Sequence, residues 1–567
     1  MYEGVNASDG IGIGVARVAV EPDLSFTPHA PEDAAAEKER YAAAVAKFIE
    51  QTNAQIERMK VTVGQEAAAI MGAHIEFAED DGIKEMVEGS IDSGMCAEQA
   101  VSEAYDMYYT MFSNMEDELF RERAADVADV KTGLLADLLG KEVVDLSTLP
   151  ENSIVVVREL TPSMTADIDK DNVAGIVTET GGRTSHSAII ARALEIPAVL
   201  SVADVTTNIK TGDMVVVDGT NGKVIATPSD HDLEHYRAKA KQYAEEKLAL
   251  EAYRGKPTVT GDGEKVLLVA NIGNPDDANV AAEHDCEGVG LFRSEFLFMD
   301  AKELPTEDEQ FAAYQKVALR MKNQPVIIRT LDVGGDKEIP YLNLQKEENP
   351  FMGFRAVRYC LNNPEQYKVQ LTALLRASAF GDIKIMVPLV TNLDEIRQVK
   401  ALVEECKADL DARGVSYNKD IEVGTMIETP AASLIADDLA AECDFFSIGT
   451  NDLIGYTMCA DRGNDHISNL YQVYYPAVLR SIKNVIENGV KAGIMVGMCG
   501  EAAADPLLEP LLISFGLEEF SMSAPSILRA RKTISQWSKA ECDELAEKAL
   551  ACSTAEEVKA LLEAAAR

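Results

Sequence analysis

The 567-residue chain is short of histidine, of positive charge and of long apolar runs. Nothing in it approaches the roughly 18 consecutive apolar residues of a membrane-spanning helix. The opening MYEGVNASDGIGIGVARVAV also lacks the basic-then-hydrophobic order of a secretory leader, so membrane insertion and export are not expected. The nine cysteines, at 96, 286, 360, 406, 443, 459, 499, 542 and 552, contain no CxxC pair and no regular spacing. That argues against a disulfide framework or a zinc ribbon and suits reduced thiols in a cytoplasm. Lysine and arginine number 53 against 95 acidic residues, a formal charge of 53 − 95 = −42. Such a field opposes nucleic acid and anionic membranes and steers a basic protein towards the surface. What remains is the composition of a folded protein, 47% hydrophobic and 26% charged, too long for one core and expected to form roughly two to four domains.

Ile11 to Val20 predict a strand. GIGIG at 10–14 resembles part of a dinucleotide loop, but Val15 and Ala16 stand where the third glycine belongs and no clear helix follows. From about Pro31 to Lys141 the chain is rich in Ala, Glu, Lys and Met, with apolar residues at spacings of three and four, which predicts an all-helical insert of two hairpins. β-Branched runs then return at 153–157, 173–178, 197–202 and 214–227, the last holding an Asn221-Gly222 hairpin signal. These strands predict an α/β domain carrying the helical insert. The charged segment 230–255, ended by Gly255 and Pro257, predicts a linker helix. Beyond it come eight strand-like runs: KVLLVANI, GVGLFRSE, PVIIRTLD, IKIMVPLV, IEVGTMIE, DFFSIGTND, GIMVGMCGE and LISFGLEEFSMS. Most are separated by helix-length segments, the pattern of a (β/α)8 barrel.

Two places carry chemistry. In TETGGRTSHSAIIARAL (178–194), Gly181 and Gly182 loosen the backbone, and Thr184, Ser185 and Ser187 surround His186 with hydroxyls at the start of a short apolar helix. Unpaired N–H groups there favour an anion that comes and goes at the imidazole. In the barrel, Arg293, Arg329, Glu428, Asn451, Asp452 and Cys499 fall at or just past the C-terminal ends of their runs, where such barrels hold their active sites. Lys337, Arg355, Arg358 and Arg462 add cations. So many cations in an acidic chain predict a multiply charged anionic ligand, and Glu428 with Asp452 suit a magnesium ion shared with substrate oxygens and water.

GGRTSHSAIIAR, GLFRSEFLFM, IIRTLDVGGDK, NPFMGFRAVR, IETPAA, FFSIGTNDLIGYTMCADRGND and MCGEAA together resemble Enzyme I of the bacterial phosphoenolpyruvate:sugar phosphotransferase system. The resemblance runs from about residue 8 to beyond 520. It implies a multidomain α/β protein: a swivelling phosphohistidine domain (1–28 and 145–229), a helical HPr-binding subdomain (29–144), a linker helix (230–257) and a phosphoenolpyruvate-binding TIM barrel that also dimerises (258–567). It further implies that phosphoenolpyruvate phosphorylates His186, releasing pyruvate, and that the phosphoryl group passes to a histidine of the carrier HPr. By the same resemblance Arg293, Arg329 and Arg462 hold the phosphate, with Lys337 and Arg355 close by. Asn451 contacts substrate, Glu428 and Asp452 hold Mg²⁺, and Cys499 protonates the enolate. One position departs from the family pattern: Gly455 stands before Tyr456 where glutamine is usual. Pyruvate phosphate dikinases share the histidine domain and barrel, but they need an ATP-binding domain, and the residues before GGRTSHS show no P-loop. A scaffold that keeps the fold without turnover is the non-enzymatic alternative.

Overall fold

The computed structural model describes residues 1–19, 24–62, 65–113, 118–141, 146, 149–161, 164, 168–182, 185–299, 301, 303–334, 339–342, 344–345, 347–461 and 464–567. For 58–62, 65–70, 118–122, 186, 189, 193, 340, 465 and 468 it describes the backbone alone. The chain forms two compact units, Met1–Lys247 and Leu248–Arg567. No described helix is long and apolar enough to cross a membrane.

The first unit is built on eight strands: β1 (Tyr2–Glu3), β2 (Val5–Ser8), β3 (Ile11–Val18), β4 (Ser153–Val157), β5 (Val173–Thr178), β6 (Ala198–Leu200), β7 (Met214–Asp218) and β8 (Lys223–Ala226). They form one mixed sheet in the order β1-β8-β7-β3-β4-β5-β6-β2. Every residue of SIVVV in β4 is buried, as a central strand covered on both faces requires. The glycines of GIGIG serve this packing. A Cβ on Gly12 would lie 2.0 Å from the Ala174 carbonyl oxygen, and one on Gly14 would lie 2.0 Å from that of Asn152. The β7–β8 hairpin forms, with Asp218 opposite Lys223. Its loop is four residues long rather than a two-residue Asn-Gly turn, because the Asp218 carboxylate accepts from the Asn221 backbone at 3.0 Å and draws the loop back over the strand end.

Among the described residues between β3 and β4 stand five helices, α1 (Ala34–Thr62), α2 (Gln65–Glu79), α3 (Asp81–Asp92), α4 (Ala97–Ser113) and α5 (Glu118–Leu139). Their apolar faces close one core around Phe48, Val87, Ile91, Tyr105, Val130 and Leu134. Two hairpins were expected, and α3 is the addition: Asp80 caps it by accepting from Ile83 N–H at 2.8 Å. His74 on α2 is wholly buried, with Nε2 3.4 Å from Asp126 and Nδ1 3.7 Å from Asp129. Burial opposes its charge, but the two aspartates outweigh that and hold its pKa above the usual imidazole value. After β5 comes α6 (His186–Ala193), and after β8 comes α7 (Asp230–Glu251), within which the boundary between the two units falls.

In the second unit β9 (Leu267–Ile272), β10 (Val289–Arg293), β11 (Pro325–Arg329), β12 (Asp382–Val387), β13 (Val423–Ile427), β14 (Phe445–Ile448), β15 (Met495–Met498) and β16 (Glu519–Met522) close into a parallel barrel, β16 returning to β9. Alternate residues face inward. Leu291, Ile327, Met386, Met426 and Phe445 fill the interior, while Phe292, Ile328, Phe446, Val496 and Phe520 pack outward. The last predicted run, LISFGLEEFSMS, is strand only over Glu519–Met522. Leu512–Phe515 end a helix that begins at Glu509, and Gly516, at φ +99°, terminates it with its N–H on the carbonyls of Leu512 and Ile513.

Candidate active site

The predicted side chains reach the barrel mouth because their strands end beneath them. Arg293 and Arg329 are the last residues of β10 and β11, Glu428 follows β13, and Cys499 follows β15. The chain leaving β14 enters helix α8 (Thr450–Met458), whose first turn carries Asn451 and Asp452. Arg355 comes from the segment after β11. These side chains line one cavity of about 140 Å³. Arg358 does not join them: its guanidinium donates to the carbonyls of Met352 and Gly353. Lys337 and Arg462 lie outside the described residues, as does the side chain of His186. The backbone of α6 does begin at His186, and Ser185 caps it by accepting from Ala188 N–H at 3.4 Å.

Two acids that sequence reasoning passed over organise the arginines. Glu295 pairs with Arg329, whose other terminal nitrogen lies 3.1 Å from Asp332. Asp332 also accepts two contacts from Arg355 Nη2, at 2.9 and 3.1 Å. Arg355 then reaches Asp452 at 3.2 Å and the Tyr456 hydroxyl at 3.4 Å. The signal was available in FRSEF and RTLD: a buried arginine at the end of an apolar strand needs a carboxylate, and each motif has one within three residues. Gly334 makes the approach of Arg355 possible. It sits at φ +99°, and a Cβ there would be 2.7 Å from that of Arg355. Behind the strand ends, Ser294 donates to the Arg329 carbonyl at 2.6 Å, and Gln370 donates to Ser294 and accepts from Leu331 N–H. This buried network holds the β10 and β11 termini in place.

The electrostatics separate the groups by task. Burial opposes the charge on Arg329, but Glu295 and Asp332 overcome it and keep the guanidinium firmly protonated. Burial, then Asp452 and Asp332, push Glu428 up to about 8. Glu428 also accepts from Leu389 N–H at 2.6 Å. Carboxylates crowded at such a cost form an oxygen-donor pair that a divalent cation would stabilise. Burial pushes the Cys499 thiol up to about 11, against Ser447 and Arg329. At neutral pH burial therefore favours the thiol over the thiolate.

The PEP-binding domain of PEP-utilising enzymes matches residues 247–539, their mobile domain 149–222 and their N-terminal domain 3–123. The chain is 47% identical to the phosphoenolpyruvate-protein phosphotransferase of Bacillus sp. (strain S), over 98% of this chain and 96% of that one. The chain belongs to the phosphoenolpyruvate-protein phosphotransferase family. A member from Bacillus subtilis (strain 168) is 47% identical over 99% of this chain and 98% of its own, and one from Staphylococcus carnosus (strain TM300) is 45% identical over the same shares. Within this phosphotransferase-family barrel, Gly455 lies on α8 turned away from the cavity. A Cβ there would meet the Ala460 carbonyl oxygen at 3.3 Å and the Tyr471 ring at 3.8 Å, so the glycine alters the packing of the loop after α8 and removes no cavity group.

Proposed function

We propose that this chain transfers the phosphoryl group of phosphoenolpyruvate to His186, releasing pyruvate, and then passes it to a histidine of HPr in the first step of sugar uptake. The observation that carries the reading is the single cavity in which Arg293, Arg329, Arg355, Glu428, Asn451, Asp452 and Cys499 meet, in a chain of this family. Phosphoryl transfer needs alignment and charge neutralisation more than covalent help, and the cavity's groups suit that. The arginines, with Lys337 and Arg462, take the phosphoryl and carboxylate oxygens, and Asn451 adds a neutral contact. As the bridging P–O bond breaks towards His186, its electrons enter the enolate, and Cys499 donates its proton to carbon 3.

Crowding of the acids supports a metal. Burial, Asp452 and Asp332 push Glu428 up to about 8, and a divalent cation between Glu428 and Asp452 would relieve that crowding. Glu428 and Asp452 would hold Mg²⁺, leaving most of its octahedron to substrate and water. When bound, Mg²⁺ neutralises charge on the substrate's oxygens.

For the carrier, the exposed Met107 and Met111 lie beside Glu103 and Asp106 on α4, a mixed apolar and acidic face that fits a basic protein. Residues 1–28 with 145–229 would form the phosphohistidine domain, 29–144 the HPr-binding subdomain, 230–257 the linker and 258–567 the barrel through which a homodimer forms. The family and the reduced thiols favour a cytoplasmic location. Incubation with labelled phosphoenolpyruvate should give an acid-labile, base-stable phosphoprotein. Label retained in His186→Ala would refute the assignment.

A further inference from the structure

Beneath the cavity, the inner wall formed by β14, β15 and β16 carries polar groups beside the apolar Leu291, Ile327, Met386, Met426 and Phe445. Strands β14, β15 and β16 run side by side, with Ser447 in register with Gly497 and Gly497 in register with Glu519. All three face inward, since the alternate Phe446, Val496 and Phe520 belong to the outer core. Gly497 leaves room that the Glu519 carboxyl occupies: a Cβ on Gly497 would lie 2.7 Å from Glu519 Oε1. Two residues beyond Gly497, just past the end of β15, stands Cys499, whose thiol donates to the Ile448 carbonyl at 3.8 Å with the Ser447 hydroxyl close by. Ser447 and Glu519 are both completely buried. Neither oxygen of Glu519 forms a hydrogen bond within the described protein, and the Ser447 hydroxyl meets no partner in full hydrogen-bond geometry.

A carboxyl in that position is expensive. An aliphatic side chain would fill the space without the desolvation cost, so the group calls for an explanation beyond packing. Burial pushes Glu519 up to about 7, and Lys384, on the opposite side of the barrel in β12, is the charged group that pulls it back. Lys384 pairs with Glu422 at 2.6 Å, and its side chain remains 14% exposed. A carboxyl poised to gain and lose a proton near neutrality therefore lies beneath the buried thiol.

We infer that Glu519 is the proton reservoir for Cys499, acting through the Ser447 hydroxyl. The inference rests on Cys499 as the acid at carbon 3. When the enolate takes the thiol proton, the S–H electron pair stays on sulfur. The thiolate recovers a proton from Ser447 Oγ, and that oxygen, which no hydrogen bond links to Glu519 in the resting structure, takes the proton of the Glu519 carboxyl when the two side chains turn towards each other, leaving a carboxylate. Solvent at the Lys384 end then reprotonates Glu519. In the reverse direction, pyruvate gives a proton to the thiolate, and the relay carries it to the carboxylate. Glu519 does not touch substrate and acts only through Cys499.

The test separates carbon exchange from proton exchange. With the full chain, Mg²⁺ and phosphoenolpyruvate in D₂O, ¹⁴C-pyruvate exchange into phosphoenolpyruvate needs only that the thiol give and retrieve one proton. Deuterium entry at carbon 3 also needs the thiol to exchange with solvent. The unmodified chain should wash in deuterium about as fast as it exchanges carbon. In Glu519→Gln and in Ser447→Ala, carbon exchange should persist while deuterium entry lags it by roughly tenfold or more. General damage to the fold slows both and leaves their ratio unchanged, and an unchanged ratio in these variants overturns the relay. If Glu519→Gln does not fold, the ratio in Ser447→Ala decides alone. Cys499→Ala separates the two readings: undiminished carbon exchange there overturns Cys499 as the acid, whereas its loss beside a normal ratio in Glu519→Gln overturns the relay only.

Discussion

Replacing Glu519 by glutamine should remove a loss of barrel stability with rising pH, and the size of the effect follows from burial. Glutamic acid titrates near 4.5 in an unfolded chain, and Glu519 is pushed up to about 7 in the fold. Between those values the unfolded chain has released a proton that the folded one still holds. Stability of the unmodified protein therefore falls with rising pH across that window and levels off above it. From pH 5.5, above the isoelectric point of about 4.5, to pH 8, the loss covers 7 − 5.5 = 1.5 pH units, or about 2 kcal/mol. Glutamine has no proton to release and lacks this slope. Its amide, buried without a partner, costs about 1 kcal/mol at every pH, which shifts the curve without tilting it. Other titrating groups act equally on both proteins and cancel in the difference. Trp537 is the chain's one tryptophan and lies buried in the second unit, so urea unfolding followed by its fluorescence reports on the barrel. The stability of Glu519→Gln relative to the unmodified chain should rise by about 2 kcal/mol between pH 5.5 and 8. Parallel stability curves would refute the burial argument.

Three further outcomes are expected. Gly500→Ala would place a Cβ 1.7 Å from Thr450 Oγ1 and 2.7 Å from its backbone nitrogen. It should force the Cys499 segment away from α8, cost about 1–3 kcal/mol in urea unfolding and slow pyruvate formation by at least about tenfold; normal turnover would show that the loop yields freely. Excess EDTA should stop labelling by phosphoenolpyruvate while leaving transfer between His186 and HPr intact, and full labelling under chelation would count against Glu428 and Asp452 as metal ligands. A fragment of residues 1–257 should fold, exchange phosphate with phosphorylated HPr and take no label from phosphoenolpyruvate, because it carries its own core without the barrel's cations; labelling of that fragment by phosphoenolpyruvate would overturn the division of labour.

Much of the architecture is local in origin and was therefore legible in the sequence. Apolar runs alternating with helical segments set the barrel. The residue at the end of a parallel strand is at the mouth whatever its neighbours do, so Arg293, Arg329, Glu428, Asp452 and Cys499 could be placed from their runs alone. Ser185 ahead of the Ala188–Ala191 run marks the start of α6 in the same way. Where local signals competed, the reading slipped. Leu512–Phe515 look like strand in composition, and only Gly516 at the end of that segment shows that a helix stops there. Tertiary structure alone decided which distant residues meet. Glu295, Asp332 and Arg355 assemble around Arg329 because barrel closure aligns β10 with β11 and folds the following segment over them. Glu518 and Glu519 form an acidic pair with no local signal to tell them apart, yet one is exposed and the other is sealed inside the barrel. Strand register sets that difference: a shift of one residue exchanges inside for outside, and the register of β16 against β15 and β9 is fixed by packing among residues far apart along the chain.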